Sequence, residues 1–325
     1  MELTWIYSPI EKELKEVEVI LEKSLRETKN ESIQKINRSL LESPGKRIRP
    51  ALVILAYKAT LSPKPFALSQ LIKISSSIEL IHIASLIHDD VMDHARLRHN
   101  RPTVNYKWGN DVAIASGDYL YSLAFELISS CGNTNILECI SSATKSMCEG
   151  QLIQICERDN LDLLKERYML IVKKKTASLF AASCRVGAML SNCQRNIQSA
   201  LGQYGSNFGI AFQIVDDCLD LIGQKEDLGK SPGADFRMGE LTLPVLNLIS
   251  QSKDKDKIMA CIRQQDNPEA FEEIRQRFIN SQAYPKTKEV ALSYIQNAKG
   301  YLNILEDSNF KQSLFSLANY IGKRL

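Results

Sequence analysis

Apolar and polar positions alternate along this chain with the period of a helix, in long segments separated by few breaks. Between residues 9 and 27, Ile10, Leu14, Val17, Ile20, Leu21 and Leu25 recur among Glu and Lys at helical spacing, which predicts an amphipathic helix. A second helix is expected near 31–42, ending at the breaker Ser43-Pro44-Gly45. An apolar helix over 51–60 follows. Ser62-Pro63-Lys64-Pro65 then breaks the chain before a helix that ends in carboxylates at 89–93. Helices are also expected over 136–157 and 161–192, and another runs into carboxylates at 216–220. Asp227–Asp235 reads as a turn-rich loop and Ser250–Lys257 as a polar one, with helical scaffold beyond. Ten prolines and 15 glycines are few for 325 residues, so the expectation is an all-α protein.

Two of these helix ends repeat each other. Residues 83–93 read IASLIHDDVMD and residues 210–220 read IAFQIVDDCLD, both in the frame I-A-x-x-I-x-D-D-x-[M/L]-D. On a helix Asp89 and Asp93 are one turn apart with Asp90 beside them, and Asp216, Asp217 and Asp220 repeat that geometry. A single such cluster is more often a solvated helix face, but two in one apolar frame point to a shared task. Like charges so close call for a cation. Carboxylate oxygens without a Cys or His ligand pattern suit Mg²⁺, which takes one or two carboxylates and fills its other positions with water and phosphate. The clusters therefore predict a diphosphate held between two helices by bridging Mg²⁺. Far apart in sequence yet serving one site, they also predict a single domain over 1–325.

Other residues carry complementary charge. Gly45-Lys46-Arg47-Ile48-Arg49-Pro50 puts three cations at a helix N-terminus, where the dipole favours anions. The stretch is either a solvated basic loop or an anion site, and the P-loop spacing is absent. His82 lies two turns before Asp89 on the same face, too far to share its ion, and alone reads as a core histidine. His88 reads as a core residue as well. Arg96, Arg98 and Arg101 follow the first cluster and suit a phosphate only partly neutralised by metal. The run Lys173-Lys174-Lys175 is by itself a solvated face, and Gln213 a polar position one turn before Asp217.

A net charge of +3 and a pI near 8.3 are too mild to argue for nucleic-acid binding. No apolar run is expected to reach transmembrane length, and the mixed charges of Glu11, Lys12, Glu13 and Lys15 argue against a signal peptide. Eight cysteines without a CxxC pair read as reduced, with Cys131, Cys139, Cys148 and Cys156 at buried helix positions. The cytoplasm is the expected compartment. No catalytic triad is evident.

With both aspartate-rich segments and GKRIRP in place, the chain resembles the all-trans polyprenyl diphosphate synthases over nearly its whole length. The resemblance implies a single-domain bundle of long helices around a central substrate cavity, homodimerisation and Mg²⁺. It implies that isopentenyl diphosphate is held by Lys46, Arg49 and His82. Arg98 matches the first arginine of the family pattern Arg-Arg-Gly-x-Pro-Thr and would hold the allylic diphosphate. His99 and Asn100 depart from the second arginine and the glycine, so His99 would replace that contact to isopentenyl diphosphate only in part. Lys175-Thr176-Ala177 matches a motif that contacts the allylic substrate, Gln213 a carbocation-stabilising glutamine, and Lys230 a lysine that closes over the diphosphate. Glu240 stands where a lysine is usual in Gly-Lys-x-Thr-Leu-Pro, a reversal that should weaken binding unless it points away or Arg237 compensates.

The implied reaction is head-to-tail condensation of isopentenyl diphosphate with an allylic diphosphate. Asp89, Asp93 and Asp216 would anchor metal, with Asp90, Asp217 and Asp220 in support. Small side chains at Ala84 and Ser85, one turn above Asp89, leave room for a growing chain and predict a medium- or long-chain product. The alternatives are a geranylgeranyl or farnesyl diphosphate synthase, a class I terpene cyclase, which has no use for GKRIRP, or a non-catalytic partner subunit, which typically loses an aspartate motif.

Overall fold

The structure is a computed structural model that describes residues 2–41, 45–60, 66–98, 100–158, 160, 165–223 and 232–325. Among the described residues, helices of eight residues or more are, in order, α1 Glu11–Arg26, α2 Glu31–Leu41, α3 Ile48–Ala59, α4 Leu68–Met92, α5 Asn110–Ser129, α6 Thr134–Cys156, α7 Lys165–Val172, α8 Ser178–Leu190, α9 Arg195–Ile222, α10 Leu243–Gln251, α11 Lys255–Ile262, α12 Pro268–Ile279, α13 Ala283–Tyr301 and α14 Asn309–Gly322. The only strands described are β1 Leu97–Arg98 and β2 Arg101–Pro102, a two-residue antiparallel hairpin. The protein is all-α, as its sequence predicts. The polar loop expected over Ser250–Lys257 is shorter than predicted, because α11 begins at Lys255 with Asp256 in its first turn, where the dipole favours an acid.

The chain forms two compact units, each built from three stretches of sequence. The first comprises 1–144, 179–205 and 301–317. Its α4 is long and apolar enough to cross a membrane, contrary to the expectation from sequence, but 67% of the apolar window is buried in the protein, as a core helix requires. Ser75, Ser76 and Ser77 are buried inside it because each hydroxyl donates to a carbonyl one turn back, at 2.8, 2.9 and 2.7 Å. Glu79 on the same helix is 3% exposed and accepts from Arg47 at 2.8 Å, while Arg47 also donates to Glu18 at 2.5 Å. Burial alone would lower the Arg47 pKa, and the bonds to Glu18 and Glu79 reverse this and hold it above its ordinary value. One of the three cations at the start of α3 is thus neutralised within the fold. Glu79→Gln strips the buried charge from Arg47 and should cost about 3 kcal/mol of unfolding free energy, read from the denaturant midpoint.

The second unit comprises 145–178, 206–300 and 318–325. The helix predicted over 161–192 runs from Lys165 to Leu190, but a π-helical turn, Lys173–Ala177, interrupts its α-helical course. In this unit Phe236 and Phe271 pack with ring centres 5.6 Å apart, and Asn247 donates to Thr287 at 2.8 Å. No disulfide forms among the eight cysteines. Cys148 and Cys156 are exposed rather than buried as expected, since nine residues on a helix, the step from Cys139 to Cys148, is half a turn out of phase.

Candidate active site

In the first unit the functional candidates gather at the start of α3 and along α4. Lys46 is exposed, and its carbonyl accepts from the Tyr7 hydroxyl at 3.1 Å. Arg49 lies with its guanidinium 4.2 Å from the centre of the Phe180 ring, and its buried Nε has no hydrogen-bond partner. Burial lowers its pKa to about 10, with Glu79 opposing, so it remains cationic at neutral pH. A buried guanidinium with an unused donor suits an anion. His82 is half-buried on the next helix, and burial together with the charges of Arg49, Arg98 and Arg47 holds its pKa well below the ordinary value. It is a neutral imidazole that can donate one hydrogen bond without adding charge.

α4 ends at Met92, and Asp93 follows as its cap, with its N–H on the Asp89 carbonyl at 2.8 Å. All three acids of the first cluster therefore sit at the negative end of a 25-residue helix, where the dipole adds to their mutual repulsion. Asp90 is buried and accepts from Arg98 Nε and Nη2 at 2.9 and 2.8 Å. Burial alone would lower the Arg98 pKa, and Asp90, with Asp89 and Asp93 adding, raises it instead. Asp89 and Asp93 are half-buried. Asn100 has φ 60°, in the left-handed region that Asn tolerates best after Gly, so the loss of the family's glycine costs the hairpin little. His88, the core reading, bonds the Ile114 carbonyl at 3.2 Å and fills the space over Gly117.

The second unit holds the other half of the candidates. Asp217 is 4% exposed, and its two carboxylate oxygens accept from Tyr168 (2.5 Å) and Gln213 (2.8 Å). Burial pushes its pKa up to about 7 against these two donors, and the charges of Asp216 and Asp220 add to the rise. Asp220 is buried, and its Oδ2 accepts from the Asp235 N–H at 3.1 Å. Asp216 is half-buried, and among the described residues its carboxylate has no hydrogen bond or ion pair. Gln213 accepts from the Thr176 hydroxyl at 2.8 Å, so two of the predicted catalytic residues are brought together. Lys175 is half-buried in the π-turn, whereas Lys174 pairs with Glu149 at 2.6 Å and Lys173 is exposed, in line with their reading as ordinary surface cations. Glu240 is held by Gln154 Nε2 and by Arg158 Nη2, the latter at 3.3 Å. Arg237, one of the two ways out that the sequence left open, donates to the Pro232 carbonyl at 3.0 Å. His99 and Lys230 lie outside the described residues.

The structure adds residues that the sequence did not single out: Tyr168, Arg158 and Gln154, and the pair Glu18 and Glu79. Their signals are long-range contacts, except that Tyr168, the one aromatic of α7, directly follows the charged run Lys165-Glu166-Arg167 that opens it.

Among the described residues no three acidic, His or Cys side chains converge on one point, so neither cluster is a closed cage. Half-buried carboxylates at a helix end fit Mg²⁺, which keeps water and phosphate oxygens in most of its positions. Beside buried Asp217 and Asp220, Asp216 presents a half-buried carboxylate of the same kind.

Residues 30–278 match the family model described as polyprenyl synthetase. The chain is 34% identical over 324 residues to heptaprenyl diphosphate synthase component 2 of Geobacillus stearothermophilus, covering 100% of this chain and 99% of the relative. It is 33% identical over 329 residues to geranylgeranyl diphosphate synthase of Methanosarcina mazei, covering 100% and 99%. Its fold is similar to the crystal structure of polyprenyl synthase from Caulobacter crescentus CB15 complexed with calcium and isoprenyl diphosphate, with a TM-score of 0.93 at 29% identity, covering 99% of this chain and 97% of that one. Paired aspartate motifs, an arginine with an unpartnered Nε in the first turn of α3 and a family match across most of the sequence lead to one conclusion: the chain belongs to the polyprenyl synthetase family.

Proposed function

We propose that this prenyltransferase elongates an allylic diphosphate with isopentenyl diphosphate, head to tail and all-trans, in a Mg²⁺-dependent reaction at one site to which both aspartate clusters contribute. Chain elongation is the activity of its family; the residue roles, the metal and the product length are our reading. The single observation that carries it is Asp216, which among the described residues is the acid of the second cluster with no hydrogen bond or ion pair, set in the same frame as Asp89 and Asp93.

Asp89, Asp93 and Asp216 would hold Mg²⁺ on the allylic diphosphate, while Asp90, Asp217 and Asp220 fix the surrounding fold through Arg98, Tyr168, Gln213 and the Asp235 amide. Bound there, Mg²⁺ would neutralise charge on the departing diphosphate. Arg98 and Lys175 add fixed positive charge for the same purpose, with Lys230 and His99 assigned on the family pattern alone. Lys46 and Arg49 bind the diphosphate of isopentenyl diphosphate by charge, and neutral His82 adds a hydrogen bond. Thr176 and Gln213 flank the carbon that becomes cationic. The isopentenyl double bond attacks that carbon, and the released diphosphate takes the proton.

Ser85, half-buried with its hydroxyl on the His82 carbonyl at 2.8 Å, adds little bulk one turn above Asp89, whereas Ala84 is packed against protein. That supports a medium- or long-chain product. We read residues 1–325 as one domain around a central substrate cavity, since each unit is assembled from three separate stretches, and as a cytoplasmic homodimer. The Geobacillus relative is named as one component of a synthase, which favours a second reading with an unlike subunit.

The test is a product assay. Purified protein receives Mg²⁺, isopentenyl diphosphate and, separately, dimethylallyl, geranyl, farnesyl or geranylgeranyl diphosphate, and products are sized by mass spectrometry. A ladder ending in one dominant product longer than geranylgeranyl diphosphate is expected. Farnesyl diphosphate as the main product would overturn the length assignment. No elongation from any primer by the chain alone would favour the unlike-subunit reading.

A further inference from the structure

We propose that Tyr168 is a positioning residue for prenyl transfer, acting through Asp217 and Gln213 on the Thr176 hydroxyl. The inference rests on the reading that Thr176 and Gln213 flank the reacting carbon. Tyr168 is 4% exposed on α7, and its hydroxyl donates to Asp217 Oδ2 at 2.5 Å. Gln213 Nε2 donates to Asp217 Oδ1 at 2.8 Å, and among the described residues these are the only hydrogen bonds to that carboxylate. Thr176 Oγ1 donates to Gln213 Oε1 at 2.8 Å.

Each link sets the direction of the next. A carboxylate with the Tyr168 donor on one oxygen draws the NH₂ end of the Gln213 amide to the other, which turns the amide carbonyl towards Thr176. A hydroxyl carries one proton, and Thr176 commits it to that carbonyl. What Thr176 then offers a substrate is lone pairs. An electron-rich oxygen is the correct end to meet a carbon that becomes cationic, whereas an O–H pointing at it would oppose the charge.

The π-turn has a place in this arrangement. In an uninterrupted α-helix, residues eight apart such as 168 and 176 lie about 80° out of line. The wide turn at Lys173–Ala177 takes up the extra residue, so that Tyr168 and Thr176 reach Asp217 and Gln213, themselves one turn apart on α9. A phenylalanine at 168 would fill the same volume; only the hydroxyl makes the link.

Tyr168→Phe, Thr176→Ala and the double variant would be compared with the parent chain by steady-state kinetics and thermal melting. Turnover by the parent is measured first, and its absence would count against the proposed activity rather than against the role of Tyr168. Tyr168→Phe should lower kcat by about tenfold or more, the effect of removing a hydrogen bond to a charged group. KM for isopentenyl diphosphate, bound by residues of the first unit, should stay within about twofold, and the melting temperature should fall by a few degrees because buried Asp217 Oδ2 loses its donor. In the Thr176→Ala background the further loss from Tyr168→Phe should vanish, because both act on one chain of contacts. A parental kcat in Tyr168→Phe, losses that multiply in the double variant, or a fall in melting temperature with KM rising for both substrates would each overturn the proposal.

Discussion

Asp216→Ala is expected to lower kcat by about a thousandfold or more while leaving the melting temperature nearly unchanged. The prediction singles out this acid within its cluster. Asp217 spends both oxygens on Tyr168 and Gln213, and Asp220 spends Oδ2 on the Asp235 amide and its carbonyl on the Gly233 amide at 2.8 Å, so these two hold protein to protein. Asp216 is half-buried with no such duty, and removing it leaves no orphaned donor behind. Asp220→Ala, by contrast, deletes a buried acceptor and should cost stability as well as rate. Kinetics and thermal melts on the two variants separate the roles. Equal losses of stability in both would remove the distinction drawn here.

Gly150→Ala is expected to lower kcat about a hundredfold and to destabilise the fold by about 1–3 kcal/mol. A Cβ at Gly150 on α6 would meet the Lys175 backbone nitrogen at 2.4 Å, its Cα at 2.8 Å and the Lys174 Cβ at 2.9 Å. Backbone cannot swing aside as a long side chain can, so either α6 or the π-turn must move, and the turn carries Lys175 and Thr176. Gly300 on α13 supplies the comparison, because an added Cβ there meets nothing within 4 Å. At that site the same substitution should stabilise by about 0.5–1 kcal/mol, the ordinary helix preference for alanine. The two variants should therefore move the melting temperature in opposite directions. A stabilised, fully active Gly150→Ala would show that α6 does not constrain the turn.

Much of this was legible in the sequence because it is local. Helical periodicity located α1, α2 and α3 to within a few residues, and the repeated aspartate frame marked the ends of α4 and α9 without any structure. The three cations at the start of α3 were legible as a surplus, but not how the surplus divides: Arg47 is answered by Glu79, 32 residues away, and Arg49 keeps a donor unused. Sequence spacing cannot register such a pairing. The same limit hid the partner of Glu240, which is Arg158, 82 residues away, rather than nearby Arg237. The π-turn was invisible for another reason. Its lysines and alanine are good helix formers, and nothing in their local pattern marks the change of winding that lets Gly150 approach. The apolar length of α4 was underread because Ser75, Ser76, Ser77 and Glu79 break up its hydrophobic run, yet each is satisfied inside the fold.

The central claim is that the two aspartate clusters serve one metal–diphosphate site. Its most direct test counts bound metal by electron paramagnetic resonance, titrating Mn²⁺ into the full chain with and without an unreactive allylic thiolodiphosphate. Tight Mn²⁺ binding should appear only when the diphosphate analogue is present. It should be lost, together with tight binding of the analogue, both in Asp89→Ala/Asp93→Ala and in Asp216→Ala. Tight Mn²⁺ and analogue binding that survives the removal of either cluster would contradict a shared site.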